Sequence, residues 1–360
     1  MRMSTSFRGW RRTGRPEHLG NFPYARLLYS GMMPGFVAGH YALDECAIAL
    51  HRLLAGSTAR HIASSAVAID AAAKTVMLAS GETLDYDCLS LNTGPVMDRE
   101  KIEAQLPGAR EHALFVRPIE GFAQLWPRVL ELARQRPVHL AVVGAGAAGM
   151  ELSTATVHAL SGPSCAPGSR VTLVAGKAPL AASYPAGVGR RLRNALQRLR
   201  IELLPDDCVG VSAGEILLAG GQRLACDAPL LAIGSHAPAW LAGSGLSLDA
   251  AGFMSVNRFQ QSISHANVFA AGDVASRVDA PHARSGVYAV RAGPPLLANL
   301  RAAMESRALM PYQPQKRTLK LVSCGGRYAI AVWGGFSVEG AWVWRWKDRI
   351  DRRFVAAYSG

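Results

Sequence analysis

Val138-His139-Leu140-Ala141-Val142-Val143-Gly144-Ala145-Gly146-Ala147-Ala148-Gly149 joins a mostly apolar run to three glycines in the spacing Gly-x-Gly-x-x-Gly. The apolar run has the character of a strand buried on both faces, as in a parallel sheet. A helical pattern continues to about Leu160, so a strand leads into the glycines and a helix leaves them. In that setting each glycine has a physical reason. Gly144 permits the tight turn, Gly146 lets a pyrophosphate approach the backbone, and Gly149 allows the helix to pack closely on the strand. The helix N-terminus adds partial positive charge for the phosphates. Gly144, Gly146 and Gly149 therefore predict a dinucleotide site.

The chain around this run supports the same architecture. A second strand reads Arg170 to Val174, a helix lies near 187–199, and strands recur at 201–204 and 229–233. This order predicts a doubly wound α/β sheet. An NAD site would usually place an acid at the end of the second strand, but the residues there are Val174-Ala175-Gly176-Lys177. Lys177, Arg190 or Arg191 can instead hold a 2′-phosphate, or all three are solvated surface cations. Glu151 has two readings: a carboxylate favoured by the helix dipole in the first turn, or one directed toward the nicotinamide end of the cofactor.

On the N-terminal side, a helix is predicted at about 118–134 and strands at 61–69, 75–79 and 83–91. Asp44 to Leu54 has the pattern of a short amphipathic helix. Tyr29 to Tyr41 is dense in glycine and proline and predicts a loop with forced turns. Residues 1–25 are polar, basic and aperiodic. Downstream, Asn267-Val268-Phe269-Ala270-Ala271-Gly272-Asp273-Val274-Ala275 delivers Gly-Asp at the carboxyl end of a strand, where ligands collect in open α/β sheets. The carboxylate suits polyol hydroxyls and suggests a second ligand site. Two further strands run into small-residue turns, Tyr86 to Pro95 and Ala228 to His236, a pattern suited to crossing between nucleotide domains.

Composition narrows the function classes. The 360 residues are 49% hydrophobic, enough for sizeable cores, and 39 basic against 26 acidic residues leave a formal charge of +13, carried chiefly by arginine. A basic chain raises the question of nucleic acid, but the charge is dispersed and no nucleic-acid motif accompanies it, so no such partner is expected. No window of 18 apolar residues predicts a membrane span. The start is arginine-rich without an apolar core, so no secretory signal is expected. Six scattered cysteines contain no Cys-x-x-Cys pair, and the histidines show no ligand spacing, so neither a redox dithiol nor a metal is predicted. A reducing, cytoplasmic setting is expected, with the inner face of the membrane as the alternative. Between Arg345 and Arg353 five cations and two acids interleave with Trp346 and Ile350, just after Trp342 and Trp344. Such a segment can lie in a membrane interface, although packing on the rest of the chain is the simpler reading.

Together these segments resemble the two-dinucleotide-domain flavoproteins of the pyridine nucleotide–disulfide oxidoreductase superfamily. Within it they resemble the type II NADH dehydrogenase-like subgroup, and most closely the family associated with selenide, water dikinase. The resemblance is carried by Tyr29 to Tyr41, Gly144 to Glu151, Phe269 to Ala275, Val287 to Pro295 and Trp342 to Phe354, and covers about residues 26–356. It implies two Rossmann-like, three-layer α/β domains with a small α+β C-terminal region. The implied FAD-binding domain takes residues 26–116 and 237–310, the NAD(P)-binding domain 117–236, and the C-terminal region 311–360. The resemblance also implies FAD contacts at Thr93 and Gly94, at Gly272 and Asp273, and at Ala289 and Val290 where a helix start faces the flavin. Gly144, Gly146, Gly149 and Glu151 would then serve NAD(P)H, with Gly234 beside the pyridine nucleotide.

Two departures stand out. The superfamily opens with a strand, a glycine-rich turn and a helix that cradle the FAD pyrophosphate, whereas Gly9, Gly14 and Gly20 have the wrong spacing and no apolar strand ahead of them. A misassigned start codon or a frame change would produce this. No cysteine pair stands where disulfide reductases carry theirs. The implied activity is hydride transfer from NAD(P)H to FAD and onward to a small-molecule acceptor such as a quinone, the flavin supplying the chemistry. The alternatives are an FAD-deficient remnant that only binds nucleotide, and a selenium- or sulfur-linked oxidoreductase acting with a selenide kinase.

Overall fold

The computed structural model describes residues 5–10, 16–182 and 184–359. The architecture is α/β, with two five-stranded sheets and a smaller C-terminal α+β region. The sheet that carries the glycine turn has the spatial order Leu114–Phe115, Ala228–Leu231, His139–Val143, Arg170–Val174, Glu202–Leu204, and every pairing in it is parallel. His139–Val143 is buried throughout, as a central strand covered on both faces must be: Leu140 and Val142 pack against helices, and Ala141 and Val143 against Ile102, Val211, Ile216 and Leu218. The helix Ile119–Gln135 covers one face through Phe122, Ala123, Trp126, Val129 and Ala133, which recur at helical spacing. Trp126 is among the largest fully buried side chains, and burial of such a side chain contributes at least ~3 kcal/mol.

The other large sheet has the order Val268–Ala270, Cys88–Leu91, Thr5–Trp10, Pro16–Asn21, Ala59–Ile62. Thr5–Trp10 runs antiparallel to both of its neighbours, while Val268–Ala270 pairs parallel with Cys88–Leu91 and Pro16–Asn21 with Ala59–Ile62. Each sheet has its own antiparallel three-stranded meander: Ala66–Asp70, Thr75–Leu78 and Thr83–Asp85 in one case, Cys208–Ser212, Glu215–Leu218 and Arg223–Ala225 in the other. In both, the last meander strand leads within a few residues into a buried strand of the main sheet, Cys88–Leu91 or Ala228–Leu231. The chain closes with the sheet Leu319–Ser323, Ala329–Trp333, Phe336–Gly340 and the helix Ala341–Ser359.

Three local expectations are corrected. Asp44 to Leu54 is not one helix but a 3-10 turn Leu43–Cys46, a strand Ala47–Ala49 and a short helix Leu50–Leu54. The strand exists because Arg26–Leu28 pairs with it antiparallel, and a cross-strand partner 20 residues away overrides helical spacing. Tyr29 to Tyr41 is not all loop: Met33–Val37 is helical, with Pro34 in the first turn where its missing N–H costs nothing. The N-terminal segment holds two strands, Thr5–Trp10 and Pro16–Asn21; Gly9 and Gly20 lie in them, and Gly14 lies outside the described residues.

Candidate functional site

The glycine turn is a tight assembly of backbone. Gly144 has φ +112, and its N–H donates to the carbonyl of Val174 at 2.9 Å. A Cβ there would lie 2.7 Å from the Ala232 carbonyl oxygen, and a Cβ on Gly149 only 1.7 Å from that of Gly144. Gly146 is different, since a Cβ would meet nothing within 4 Å. It forms the N-cap of the helix Ala147–Leu160, with no side-chain cap and no acid in the first turn. The first amides of the helix thus face open space beside a glycine with no side chain. Helix starts of this kind accept phosphate oxygens, and the residues present fit the pyrophosphate of a dinucleotide.

Of the three cations considered for a 2′-phosphate, Arg191 is committed elsewhere. Its guanidinium pairs with Glu339 at 2.7 Å and donates to the Ser337 hydroxyl and carbonyl at 3.2 Å each, tying helix Ala186–Arg198 to strand Phe336–Gly340.

Glu151 sits beyond the first helical turn, so the dipole reading does not apply. Its carboxylate accepts the N–H of Ser323 at 2.8 Å. The residue keeps some exposed surface, yet its carboxyl group is enclosed. Burial pushes its pKa up, opposed by the charge of Lys347 and by the Ser323 bond. Lys347, on the C-terminal helix, is buried and bonds Asp351 Oδ2 at 2.5 Å and the Gly31 carbonyl at 2.6 Å. Burial likewise raises the Asp351 pKa against the pull of Lys347. Tyr41 donates to Asp348 at 2.8 Å, and Arg352 binds Asp348 and Glu45. Three separate parts of the chain therefore meet in one charge cluster, buried at Lys347 and Asp351 and exposed at Glu45 and Arg352. Sequence reading missed Lys347 and Asp351, although their i,i+4 spacing on an amphipathic helix was the available signal.

The second crevice forms at the carboxyl ends of Cys88–Leu91 and Val268–Ala270. Gly272 has φ +73; a Cβ on it would lie 2.6 Å from Asn92 Oδ1 and 3.4 Å from the Ala289 side chain. The strand ends and the start of the helix Gly286–Met304, with Ala289 buried and Val290 half-buried, are thus brought together. Asn92 is a neighbour that sequence reading did not single out. The Asp273 carboxyl group has its pKa raised by burial, offset by Arg117, Arg284 and His282, and no side-chain hydrogen bond holds it among the described residues. Gln260 Oε1, Arg277 Nη1, Ser285 Oγ and Tyr312 OH are buried without partners among the described residues, and all but Ser285 line a cavity with Asp273. Buried polar atoms of this kind call for a ligand or water. They fit the hydroxyl-rich middle of FAD. For its pyrophosphate the described residues offer no glycine-rich strand-to-helix turn, and the antiparallel pair Thr5–Trp10 and Pro16–Asn21 occupies the sheet position instead.

The two crossover turns also meet. Gly94 (φ +71) follows Thr93, Gly234 has φ +68, and Val96 and His236 exchange backbone hydrogen bonds at 2.9 Å each. Among the described residues the cysteines form no disulfide, and burial pushes Cys324 up to about 12, so its thiol is held protonated.

Two glycine-turned α/β sheets, joined by a double crossover and closed by a C-terminal cap, define a dinucleotide-dependent oxidoreductase fold. The chain belongs to the pyridine nucleotide-disulphide oxidoreductase family, whose sequence pattern matches residues 17–293. An NADH dehydrogenase-like protein of Mycobacterium tuberculosis is 27% identical over 249 residues, covering 67% of this chain and 61% of the relative. The match thus spans less than two thirds of that relative's length. The sulfide:quinone oxidoreductase of Aquifex aeolicus superposes with a TM-score of 0.77 at 16% identity, covering 95% of this chain and 85% of that one. NDH2 of Plasmodium falciparum, in complex with NADH, gives 0.77 at 12% identity, covering 94% and 92%. At these identities the two structures bear on the fold alone.

Proposed function

We propose that this protein is an NAD(P)H:acceptor oxidoreductase that uses FAD, with a small electron acceptor of the quinone type. The observation that carries this reading is the pairing of two crevices in one chain: the open helix start at Gly146 and the unpartnered polar cavity around Asp273. In this reading Gly144, Gly146 and Gly149 receive the pyrophosphate of NAD(P)H. Asp273 holds the FAD polyol; Thr93, Gly94, Gly272, Ala289 and Val290 shape the flavin crevice. Gly234 and Glu151 lie toward the nicotinamide. FAD, when bound, supplies the hydride-accepting chemistry. The division into 26–116 with 237–310, 117–236 and 311–360 belongs to the same proposal. A selenide kinase partner finds no support among the relatives above. Purified protein incubated with FAD should keep flavin absorbance after gel filtration, and anaerobic NADH or NADPH should bleach it until a soluble quinone is added. Nucleotide binding by protein that retains no flavin would favour the FAD-deficient remnant.

The C-terminal region adds a location to this proposal. Among the described residues no helix is long and apolar enough to cross a membrane. The helix Ala341–Ser359 buries Val343, Trp344, Lys347, Asp351 and Val355, yet Trp342, Trp346 and Ile350 are exposed on another face. Trp333, Phe336 and Val338 of the adjoining strands are exposed as well, and Phe336 is 82% exposed. Exposed Arg345, Arg349 and Arg353 accompany them. Aromatic anchors flanked by arginines suit the surface of an anionic bilayer, where each cation contributes ~1 kcal/mol. Protein mixed with phosphatidylserine-containing vesicles should sediment with them at low salt. The triple variant Trp342→Gln, Trp346→Gln, Ile350→Gln should stay in the supernatant with an unchanged melting temperature. Equal sedimentation of both would remove this role.

A further inference from the structure

The end of strand Arg170–Val174 lacks the acid that usually grips the adenosine ribose of NAD, and the adjoining strand compensates. Gly176 has φ +73, a conformation in which a side chain would be strained. A Cβ built on it would lie 2.7 Å from Asp207 Oδ1. The Asp207 carboxylate therefore stands in the space that a residue-176 side chain would otherwise fill. It arrives there from the next parallel strand, Glu202–Leu204, whose end is locked to the same loop. Ala175 N–H donates to the Leu204 carbonyl at 2.9 Å and Gly176 N–H to that of Asp206 at 3.1 Å.

The two aspartates divide the work. Asp206 accepts the N–H of Asp207 at 2.9 Å and of Gly220 at 2.8 Å, which fixes the turn against the meander. Among the described residues the exposed Asp207 carboxylate has only a long bond from Lys177 N–H, at 3.4 Å, and keeps accepting capacity toward solvent. Of the cations that would favour a 2′-phosphate, Arg191 is bound to Glu339 and Ser337 and Lys177 lies in the field of Asp206, while Arg190 is exposed.

On the reading that Gly144 to Gly149 bind the pyrophosphate, we propose that Asp207, supplied from the neighbouring strand, receives the adenosine ribose hydroxyls and makes the chain prefer NADH to NADPH. A ribose diol can donate to this carboxylate, whereas a 2′-phosphate is repelled by it and by Asp206. Asp207 is thus a specificity-determining residue, and Asp206 positions it.

The test is a titration of the purified full chain with NADH and with NADPH, followed by quenching of tryptophan fluorescence. The parent should bind NADH at least tenfold more tightly. Asp207→Asn should weaken NADH about tenfold, with NADPH unchanged or tighter, and Asp207→Arg should reverse the order. The ratio of the two affinities is read within one sample, so it is insensitive to a fraction of misfolded variant. Tighter NADPH binding by the parent, or an Asp207→Asn ratio equal to the parent's, would overturn the assignment while leaving the nucleotide site in place. Binding of neither nucleotide by the folded parent would overturn the site itself.

Discussion

Gly146→Val is expected to abolish measurable NADH binding while shifting stability by no more than about 1 kcal/mol, the scale of a changed N-cap residue. The new side chain meets no protein atom within 4 Å at Cβ, and the backbone there, φ −69 and ψ 178, is one that valine adopts. The space it enters is the approach to the helix amides. Loss of that approach should weaken NADH more than 100-fold, or about 2.8 kcal/mol at 1.4 kcal/mol per decade. Gly149→Ala is the contrast. Its methyl would sit 1.7 Å from the Gly144 carbonyl oxygen, so helix and strand must separate. Overpacking of a tight contact costs ~1–3 kcal/mol, and this backbone clash should reach at least the upper end. Thermal unfolding and fluorescence titration distinguish the two: one variant stable and unable to bind, the other destabilised. A valine variant that binds like the parent would place the nucleotide elsewhere.

The second large effect is expected at Lys347. Its side chain is 10% exposed and that of Asp351 5%, and the pair closes at 2.5 Å with Glu151 in the same field. Lys347→Met leaves two enclosed carboxyl groups without their cation. Breaking a buried pair on one side costs ~3–5 kcal/mol, which urea unfolding would register. The cost should depend on pH. Asp351 and Glu151 both have folded pKa values raised, by burial first. A raised carboxyl pKa contributes stability below the unfolded pKa and loses it as pH rises through the folded value. Without Lys347 both values rise further, so the variant's deficit should be smallest in acid and grow toward neutral pH. Adding Asp351→Leu should recover part of the loss, because an apolar pair tolerates burial. A deficit that is flat across this range would show that Lys347 acts through packing alone.

Much of the fold was legible because it rests on local order. The strand–glycine–helix sequence at Val138 to Leu160 implies its own geometry, and the structure places Gly144 and Gly149 in contact that only glycine allows. The grammar of an apolar strand running into a small-residue turn appears at both Tyr86 to Pro95 and Ala228 to His236, whereas the meander Cys208–Ser212, Glu215–Leu218, Arg223–Ala225 was not read from the sequence. What local pattern could not supply was the partner of each segment. Ala47–Ala49 is a strand only because Arg26–Leu28 lies beside it, and Thr5–Trp10 only because Cys88–Leu91 and Pro16–Asn21 flank it.

The candidate sites divide in the same way. Gly144, Gly146, Gly149, Gly272 and Asp273 were named from spacing, since phosphate and polyol recognition demands small turns at strand ends. Asn92, Asp207, Lys347 and Asp351 were not. Asp207 acts across two adjacent strands, and Lys347 reaches Gly31 through 316 positions of sequence. Arg191 shows the converse, a cation that looks available in the sequence and is bound in the fold.

The residues alone thus sufficed for the class of fold and the position of its glycine turns, because those depend on backbone freedom and strand periodicity within a few residues. The tertiary structure alone decided which charges are paired, which are buried, and which carboxylate stands at the end of the second strand. Electrostatic roles depend on distance and desolvation between segments far apart in the chain, and neither quantity exists until the chain has folded.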